Sequence, residues 1–313
     1  MSRPHPPSHR PTDPPALDRR ALLRGGAGLG ALALGAAAMS ACGESRSPTS
    51  EAGAGATPTN ALIAAFPQST PLVAVGAPTR LPYLIADGEG VPLTRIDGPV
   101  TFTIRRDGEK VGGPVEVAPR SEGVPRAYLP LQFTFPEAVI YDVEAEYRGQ
   151  RLDSQLQVYD RARVGAPVVG DRLPPADTAT FTQPLGVDPV CSRAPVCPFH
   201  GVNLREVVGT GRPLVVMLST PAFCQTAICG PVLDELVVEA GNRPGLTVVH
   251  SEVYKNPKEV RDLADATLAP LPSEYKLDFE PTMFVVDSGG TIVARADVIV
   301  SADEMRELLD LVS

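Results

Sequence analysis

The stretch Ser219-Thr-Pro-Ala-Phe-Cys224-Gln-Thr-Ala-Ile-Cys229-Gly-Pro231 decides how the second half of this chain is read. It follows Pro213 to Leu218, a continuous apolar run of the kind that fills a central strand buried on both faces. It precedes Val232, Leu233, Leu236, Val237 and Ala240, which recur at helical spacing, and proline at 231 is tolerated in a first turn. Two cysteines therefore stand between a buried strand and a helix N-terminus, where unpaired N–H groups and the positive end of the dipole favour a thiolate. On one continuous helix, residues five apart are separated by about 7.5 Å of rise alone, beyond the usual reach of a disulfide. For these two to pair, Cys224 must lie in the loop, or the first turn must unwind.

Outward from this point, helix and strand signals alternate. Asn203 to Val208 reads as a short helix and Leu246 to Val253 as a second strand. Asn256-Pro257 is expected to start a helix with Val260, Leu263, Ala264 and Leu268 inward. Met283 to Val286 and Thr291 to Ala296 form a hairpin across Ser288-Gly289-Gly290. A last helix opens on the capping box Ser301-Ala-Asp-Glu304 and buries Met305, Leu308, Leu309 and Val312.

This order, strand, helix, strand, helix, hairpin, helix, resembles thioredoxin, and the α/β resemblance covers Val164 to Ser313. Phe279-Glu280-Pro281-Thr282-Met283-Phe284-Val285-Val286-Asp287-Ser288-Gly289-Gly290 resembles the cis-proline strand and hairpin that faces the dithiol in that superfamily. By resemblance Cys224 takes the nucleophile's position, Phe223 that of the usual active-site tryptophan, and Cys229 resolves the mixed disulfide. Pro281 takes the cis-proline position, and Phe223 and Glu280 become the substrate-contact positions. The spacing departs from the pattern, with four residues between the cysteines instead of two, as in an atypical TlpA-like member. Glu280 departs as well, because a carboxylate facing the dithiol disfavours the thiolate and raises its pKa. A competing alignment puts Cys229-Gly230-Pro231-Val232 on the Cys-Gly-Pro-Cys of thioredoxin, with Cys229 as nucleophile. It ranks lower, since the helix body that begins at Leu233 falls in place when Cys224 leads.

Cys191 and Cys197 lie in Asp188-Pro-Val-Cys-Ser-Arg-Ala-Pro-Val-Cys-Pro-Phe-His200, a Pro-rich irregular segment. A local structural disulfide is the expectation there, with a second redox pair or exchange with Cys224 and Cys229 as the alternative. Cys197 and His200 supply only two of the four ligands that a structural zinc site needs, so no metal and no other cofactor is expected. His250, within the second strand, reads as a partly buried histidine.

From Pro71 to Tyr159 the pattern changes to period two. Val100, Phe102 and Ile104 alternate with Thr101, Thr103 and Arg105, before the Asp107-Gly108 turn. Leu129, Leu131, Phe133 and Phe135 follow, then Val139, Tyr141, Val143, Ala145 and Tyr147 opposite Asp142, Glu144 and Glu146. Arg148-Gly149-Gln150 turns the chain into Leu152, Ser154, Leu156 and Val158. Short one-sided strands at regular spacing indicate an antiparallel sandwich. The stretch resembles bacterial immunoglobulin-like domains, with Tyr141 in the place of a tyrosine-corner residue. No cluster of His, Asp or Glu in it suggests catalysis, so spacing or partner contact is its expected task.

The N-terminus reads as targeting. Asp18-Arg19-Arg20-Ala21-Leu22-Leu23-Arg24 resembles a twin-arginine export signal, and a Gly/Ala-rich apolar run follows from Gly25 to Ser40. That run falls short of the roughly 20 residues that span a bilayer. It ends at Met39-Ser40-Ala41-Cys42, which resembles a bacterial lipobox and implies a lipid on Cys42. Signal-peptide cleavage without lipid remains the alternative. Gly43 to about Thr59 has the Gly, Ser, Pro, Thr and Ala content of a flexible tether. The expected organisation is a signal peptide over 1–41, a tether over 42–70, an immunoglobulin-like sandwich over 71–162 and a thioredoxin-like domain over 164–313.

The whole chain has 313 residues with 28 basic and 37 acidic side chains, and its first 41 residues hold five arginines and two aspartates. Without them the chain is near −12, which repels nucleic acid and anionic lipid headgroups. The function expected is that of a thiol-disulfide oxidoreductase acting on protein thiols and disulfides with an unidentified redox partner, tethered through Cys42 to the outer face of the cell membrane. Three alternatives stand beside it. One is a peroxiredoxin, on Thr220-Pro221-Ala222-Phe223-Cys224, although its threonine is one residue too far upstream and its arginine is absent. Another is a Sco-like copper carrier with His250 as the distant histidine. The last is a thioredoxin-fold lipoprotein without catalysis, serving as an interaction module.

Overall fold

A computed structural model describes residues 59–224, 227–262, 265–277 and 279–312. The signal peptide, Cys42 and residues 42–58 of the tether lie outside the described residues. Two cores set up two lobes, and the described residues of both belong to one compact unit.

The first lobe is built from two antiparallel sheets. One contains β1 (Ala61–Ala64), β2 (Pro78–Ala86) and β5 (Leu129–Thr134) in the order β1-β2-β5. The other contains β3 (Val100–Arg106), β4 (Glu109–Val117), β6 (Ile140–Tyr147) and β7 (Gln150–Gln157) in the order β4-β3-β6-β7. The period-two pattern places Leu81, Tyr83, Ile85, Leu129 and Leu131 of the first sheet in one core with Phe102, Ile104, Tyr141, Val143 and Leu152 of the second. The Tyr141 hydroxyl bonds back to the backbone at Glu137, accepting from its N–H at 3.1 Å and donating to its carbonyl at 3.2 Å.

Two strands here escape the sequence pattern because proline and glycine interrupt them. In β2 and β5, Pro82 sits opposite Pro130, so both missing donors fall on the same rung of the ladder. In β4, Gly113 has φ 86° and a Cβ there would stand 2.5 Å from the Phe102 carbonyl oxygen, so only glycine lets the bulged strand lie against β3. The tether expected over 42–70 is also corrected at its end. Ala61–Ala64 pairs with β2, and Leu62 and Phe66 are buried in the core.

The second lobe has one four-stranded mixed sheet in the order β11-β10-β8-β9. Its strands are β8 (Leu214–Leu218), β9 (Thr247–Ser251), β10 (Thr282–Val286) and β11 (Ile292–Asp297). β8 runs parallel to β9 and antiparallel to β10. Every residue of β8 is buried, and its alternation splits it between two cores: Val215 and Met217 join one, Leu214, Val216 and Leu218 the other. The first of these cores takes in the helices α2 (Cys229–Gly241) and α4 (Ala302–Asp310), the second the short helices α1 (Leu204–Val207) and α3 (Pro270–Tyr275).

The helix expected from Asn256 is not formed among the described residues. A single 3-10 turn covers Pro257–Glu259, and the helix of this connection is the later α3, opened by Pro270 and ended by Lys276 in the left-handed conformation. The reason is backbone pairing at the ends of the segment. The Lys255 N–H donates to the Thr267 carbonyl, the Ala269 N–H to the Val253 carbonyl, and Tyr254 bridges Leu268, which holds Leu268 in an extended conformation.

The lobes are joined through Arg80 of β2 and Glu304 of α4, whose side chains are 4% exposed. Arg80 grips the carboxylate with Nε and Nη2, both at 2.6 Å, and donates to the carbonyls of Asp297 at 3.1 Å and Ile299 at 2.5 Å. The Tyr128 hydroxyl donates to the same carboxylate and accepts from the Ser301 N–H at 2.8 Å. The capping box is thereby diverted: Glu304 reaches Arg80 instead of its own N-cap, and Tyr128 satisfies the N–H that Glu304 leaves. Removing one member of a buried, hydrogen-bonded pair strands a charge, at a cost of about 3–5 kcal/mol. Arg80→Met is expected to lower the unfolding free energy in urea by about that amount, with most of it restored in Arg80→Met/Glu304→Leu. A loss below about 1 kcal/mol in the single variant, the level of an exposed pair, would show that the join carries no such weight.

Candidate functional site

β8 ends at Leu218, and the next two residues anchor everything around the cysteines. The Ser219 N–H donates to the Ser251 carbonyl, and the Thr220 hydroxyl accepts from the Val253 N–H at 3.0 Å. The Thr220 N–H donates to the Glu280 carboxylate. From there the chain turns sharply, with the Phe223 N–H donating to the Thr220 carbonyl and Ala227 adopting a φ of 56°. Cys224 thus lies in the loop and Cys229 is the first residue of α2. They form a disulfide with their Cα atoms 6.0 Å apart, closer than a continuous helix allows.

The two sulfurs are unequally placed. Cys229 is fully buried, Cys224 is half-buried, and Phe223 beside it is 40% exposed. A Glu280 carboxylate oxygen lies within 4.8 Å of both sulfurs. The Glu280–Pro281 peptide is cis and leads directly into β10, whose Thr282 pairs with Leu218. The expected site residues Phe223, Cys224, Cys229, Glu280 and Pro281 are therefore neighbours. Burial pushes the Glu280 carboxyl up to about 7, against the hydrogen bonds it takes from Thr220. Glu252, fully buried after β9, is pushed up to about 8 by burial while it accepts from the Ser192 N–H at 2.6 Å and hydroxyl at 3.0 Å.

Cys191 and Cys197 depart from expectation. They are thiols in this structure, with sulfurs 3.7 Å apart, and not a disulfide. His250, read from sequence as partly buried, is wholly buried and stands among them. Its Nδ1 lies 3.4 Å from the Cys197 sulfur and 2.9 Å from His200 Nε2, while its Nε2 lies 3.0 Å from the Ser219 carbonyl oxygen and 2.9 Å from the Ser219 hydroxyl. Burial pushes the His250 pKa down and keeps the ring neutral. Cys191 is held below the ordinary thiol range chiefly by the hydrogen bond shared with Cys197, aided by the two imidazoles. The sequence reading expected no metal because Cys197 and His200 make only two ligands. The structure brings His250 of β9 and Cys191 of the same Pro-rich segment to within 4.8 Å of them.

The two clusters share a wall. Ser192, next to Cys191, accepts from the Ala222 N–H at 3.2 Å, so the cysteine–histidine loop props the dithiol loop. Sequence reasoning missed Ser192, Glu252 and the pairing of His200 with His250. The one signal for them was an unexplained histidine and acid, His250 and Glu252, close to the apolar Val248, Val249 and Val253.

No known protein-family model matches this chain, and no curated protein does. Among solved structures, an engineered protein is similar at 19% identity over 34% of this chain, with a TM-score of 0.23, and the chain spans 21% of its length. A thiol:disulfide interchange protein of the thioredoxin family from Chlorobium tepidum is similar at 15% identity over 45% of this chain and 98% of that one, with a TM-score of 0.27. The ZirS C-terminal domain is similar at 14% identity over 41% and 86%, with a TM-score of 0.22.

A carboxyl whose folded pKa is raised ionises first in the unfolded chain, so stability falls as pH rises between the two values. For Glu280 that window runs from 4.5 to about 7. In the oxidised protein, Glu280→Gln is expected to remove at most about 3 kcal/mol of the stability lost between pH 5 and 8, less the part that water at this half-buried group screens. Urea unfolding at the two pH values checks it, and an unchanged difference would contradict the burial effect.

Proposed function

We propose that this protein is a thiol-disulfide oxidoreductase acting on protein substrates, with Cys224 attacking and Cys229 resolving. The observation that carries the reading is the disulfide at the strand-to-helix junction, with one sulfur within reach of solvent, the other buried, and a carboxyl beside both. The thioredoxin-like reading of the second lobe is supported by its element order and by the cis Glu280–Pro281 peptide against the end of β8. The immunoglobulin-like reading of the first lobe is supported by its two antiparallel sheets and the Tyr141 bond to Glu137.

In the reduced protein the Cys224 thiolate attacks a substrate disulfide, forming a mixed disulfide and releasing one substrate thiolate. The Cys229 thiolate then attacks the Cys224 sulfur, which closes the intramolecular disulfide and releases the second substrate thiolate. A dithiol partner returns the pair to the reduced state. Glu280 titrates in the range where it can take the proton from a thiol and return it to a leaving thiolate. The exposed Phe223 ring offers apolar contact to a polypeptide, and among the described residues no helix is long and apolar enough to cross a membrane.

Insulin reduction with a dithiol reductant is expected to fall by at least about 100-fold in Cys224→Ser, since the attacking sulfur is gone. Cys229→Ser is expected to accumulate mixed disulfides visible by non-reducing electrophoresis. Activity that survives Cys224→Ser would sink the proposal. For the proposed anchor, Cys42→Ala is expected to move the protein from the detergent phase to the aqueous phase of the exporting host. Unchanged partition would remove lipid on Cys42 from the account.

A further inference from the structure

We propose that Cys191, Cys197, His200 and His250 bind one zinc ion, a site separate from the Cys224–Cys229 dithiol. The four side chains are buried, and their ligand atoms all lie within 4.8 Å of one another. A tetrahedral ion with metal–sulfur bonds of about 2.3 Å and metal–nitrogen bonds of about 2.0–2.1 Å sets ligand separations of about 3.8 Å for sulfur to sulfur, 3.5 Å for sulfur to nitrogen and 3.3 Å for nitrogen to nitrogen. The protein shows 3.7 Å between the sulfurs, 3.4 Å from Cys197 to His250 and 2.9 Å between the imidazole nitrogens. Of these three edges only the last needs to open, by a few tenths of an ångström, and the other three lie within 4.8 Å.

The surroundings select the lone pairs. A backbone carbonyl can only accept, so the Ser219 carbonyl beside His250 Nε2 places the proton there and leaves Nδ1 as the donor atom facing the sulfurs. This is the outer-shell bond that orients a metal-binding imidazole. The backbone holds His200 alongside, because the His250 N–H of β9 donates to the Phe199 carbonyl. Both sulfurs would bind the ion as thiolates. Two thiolates, two neutral imidazoles and a dication then sum to zero charge, which suits a site with no access to water. Two imidazoles with two thiolates are a common ligand set for zinc, and all four positions are filled by the protein, as in a structural site.

Titrating the full chain, reduced with a non-chelating phosphine, with Co2+ as the spectroscopic probe is expected to give the intense visible bands of a tetrahedral ion and a thiolate charge-transfer band. Both should saturate at about one ion per chain and be displaced by Zn2+. The signal is expected to persist in Cys224→Ser/Cys229→Ser and to vanish in Cys191→Ser, Cys197→Ser and His250→Ala. Should those variants fail to fold, alkylation of the wild-type chain decides: zinc should shield Cys191 and Cys197 but not Cys224. Absence of stoichiometric uptake, uptake of Cu+ but not Zn2+, or loss of the signal in the Cys224→Ser/Cys229→Ser variant would each overturn the site.

Discussion

The structure depends on how the two residues after β8 are held. Ser219 and Thr220 leave the sheet with their backbone and hydroxyl groups committed to β9, to the residues after it and to Glu280. A buried strand end cannot leave an N–H or carbonyl unpaired without a cost of about 1–3 kcal/mol each. Here each partner is also a chemical group: the Ser219 carbonyl fixes the His250 ring and the Thr220 N–H fixes the Glu280 carboxylate. The loop that carries Cys224 therefore starts from a position that is over-determined from both sides. The same two residues set the orientation of one cluster and the protonation environment of the other.

The Arg80–Glu304 join works differently, because it acts on a helix rather than on a loop. α4 begins where Ser301, Tyr128, Arg80 and Glu304 meet, so its start is fixed by the first lobe. α4 and α2 contribute to one core, with Met305, Leu308 and Leu309 beside Val232, Leu233 and Leu236. The N-terminus of α2 carries Cys229. Buried side chains thus connect the β-lobe to the helix that carries Cys229, which gives the first lobe a structural role.

Legibility in the sequence followed the range of the interaction. The Pro213–Leu218 run, the helix after Pro231 and the position of Cys224 in a loop were readable because strand burial, helical spacing and the reach of a disulfide are local constraints. The third helix was misplaced because Val260 and Leu268 fit a helical period, whereas the deciding bonds, Lys255 to Thr267 and Ala269 to Val253, close a loop that periodicity does not register. Ser301 and Glu304 have the capping spacing, yet a partner more than two hundred residues away claims the glutamate. β2 and β4 hid behind prolines and glycines whose purpose appears only with the opposing strand in place. Cys191 and His250 are 59 positions apart, and only the parallel register of Met217 with His250 brings the imidazole to the face where the cysteines lie.

The four cysteines of the described chain are sorted by what surrounds them. Cys224 and Cys229 share a carboxyl neighbour and an opening to solvent, conditions for exchange of electrons with another molecule. Cys191 and Cys197 share two buried imidazoles and no opening, conditions under which a thiolate is most stable bound to a cation. A thiol pair of the second kind next to one of the first kind risks being drawn into exchange, since Ser192 and Ala222 bring their loops into contact. A closed coordination shell removes that risk by taking up the lone pairs of both sulfurs, and it does so without adding charge to a buried wall already carrying Glu252 and Glu280. On the two proposals together, the buried cluster keeps thiol-disulfide exchange confined to the Cys224–Cys229 pair, the pair with no imidazole beside it.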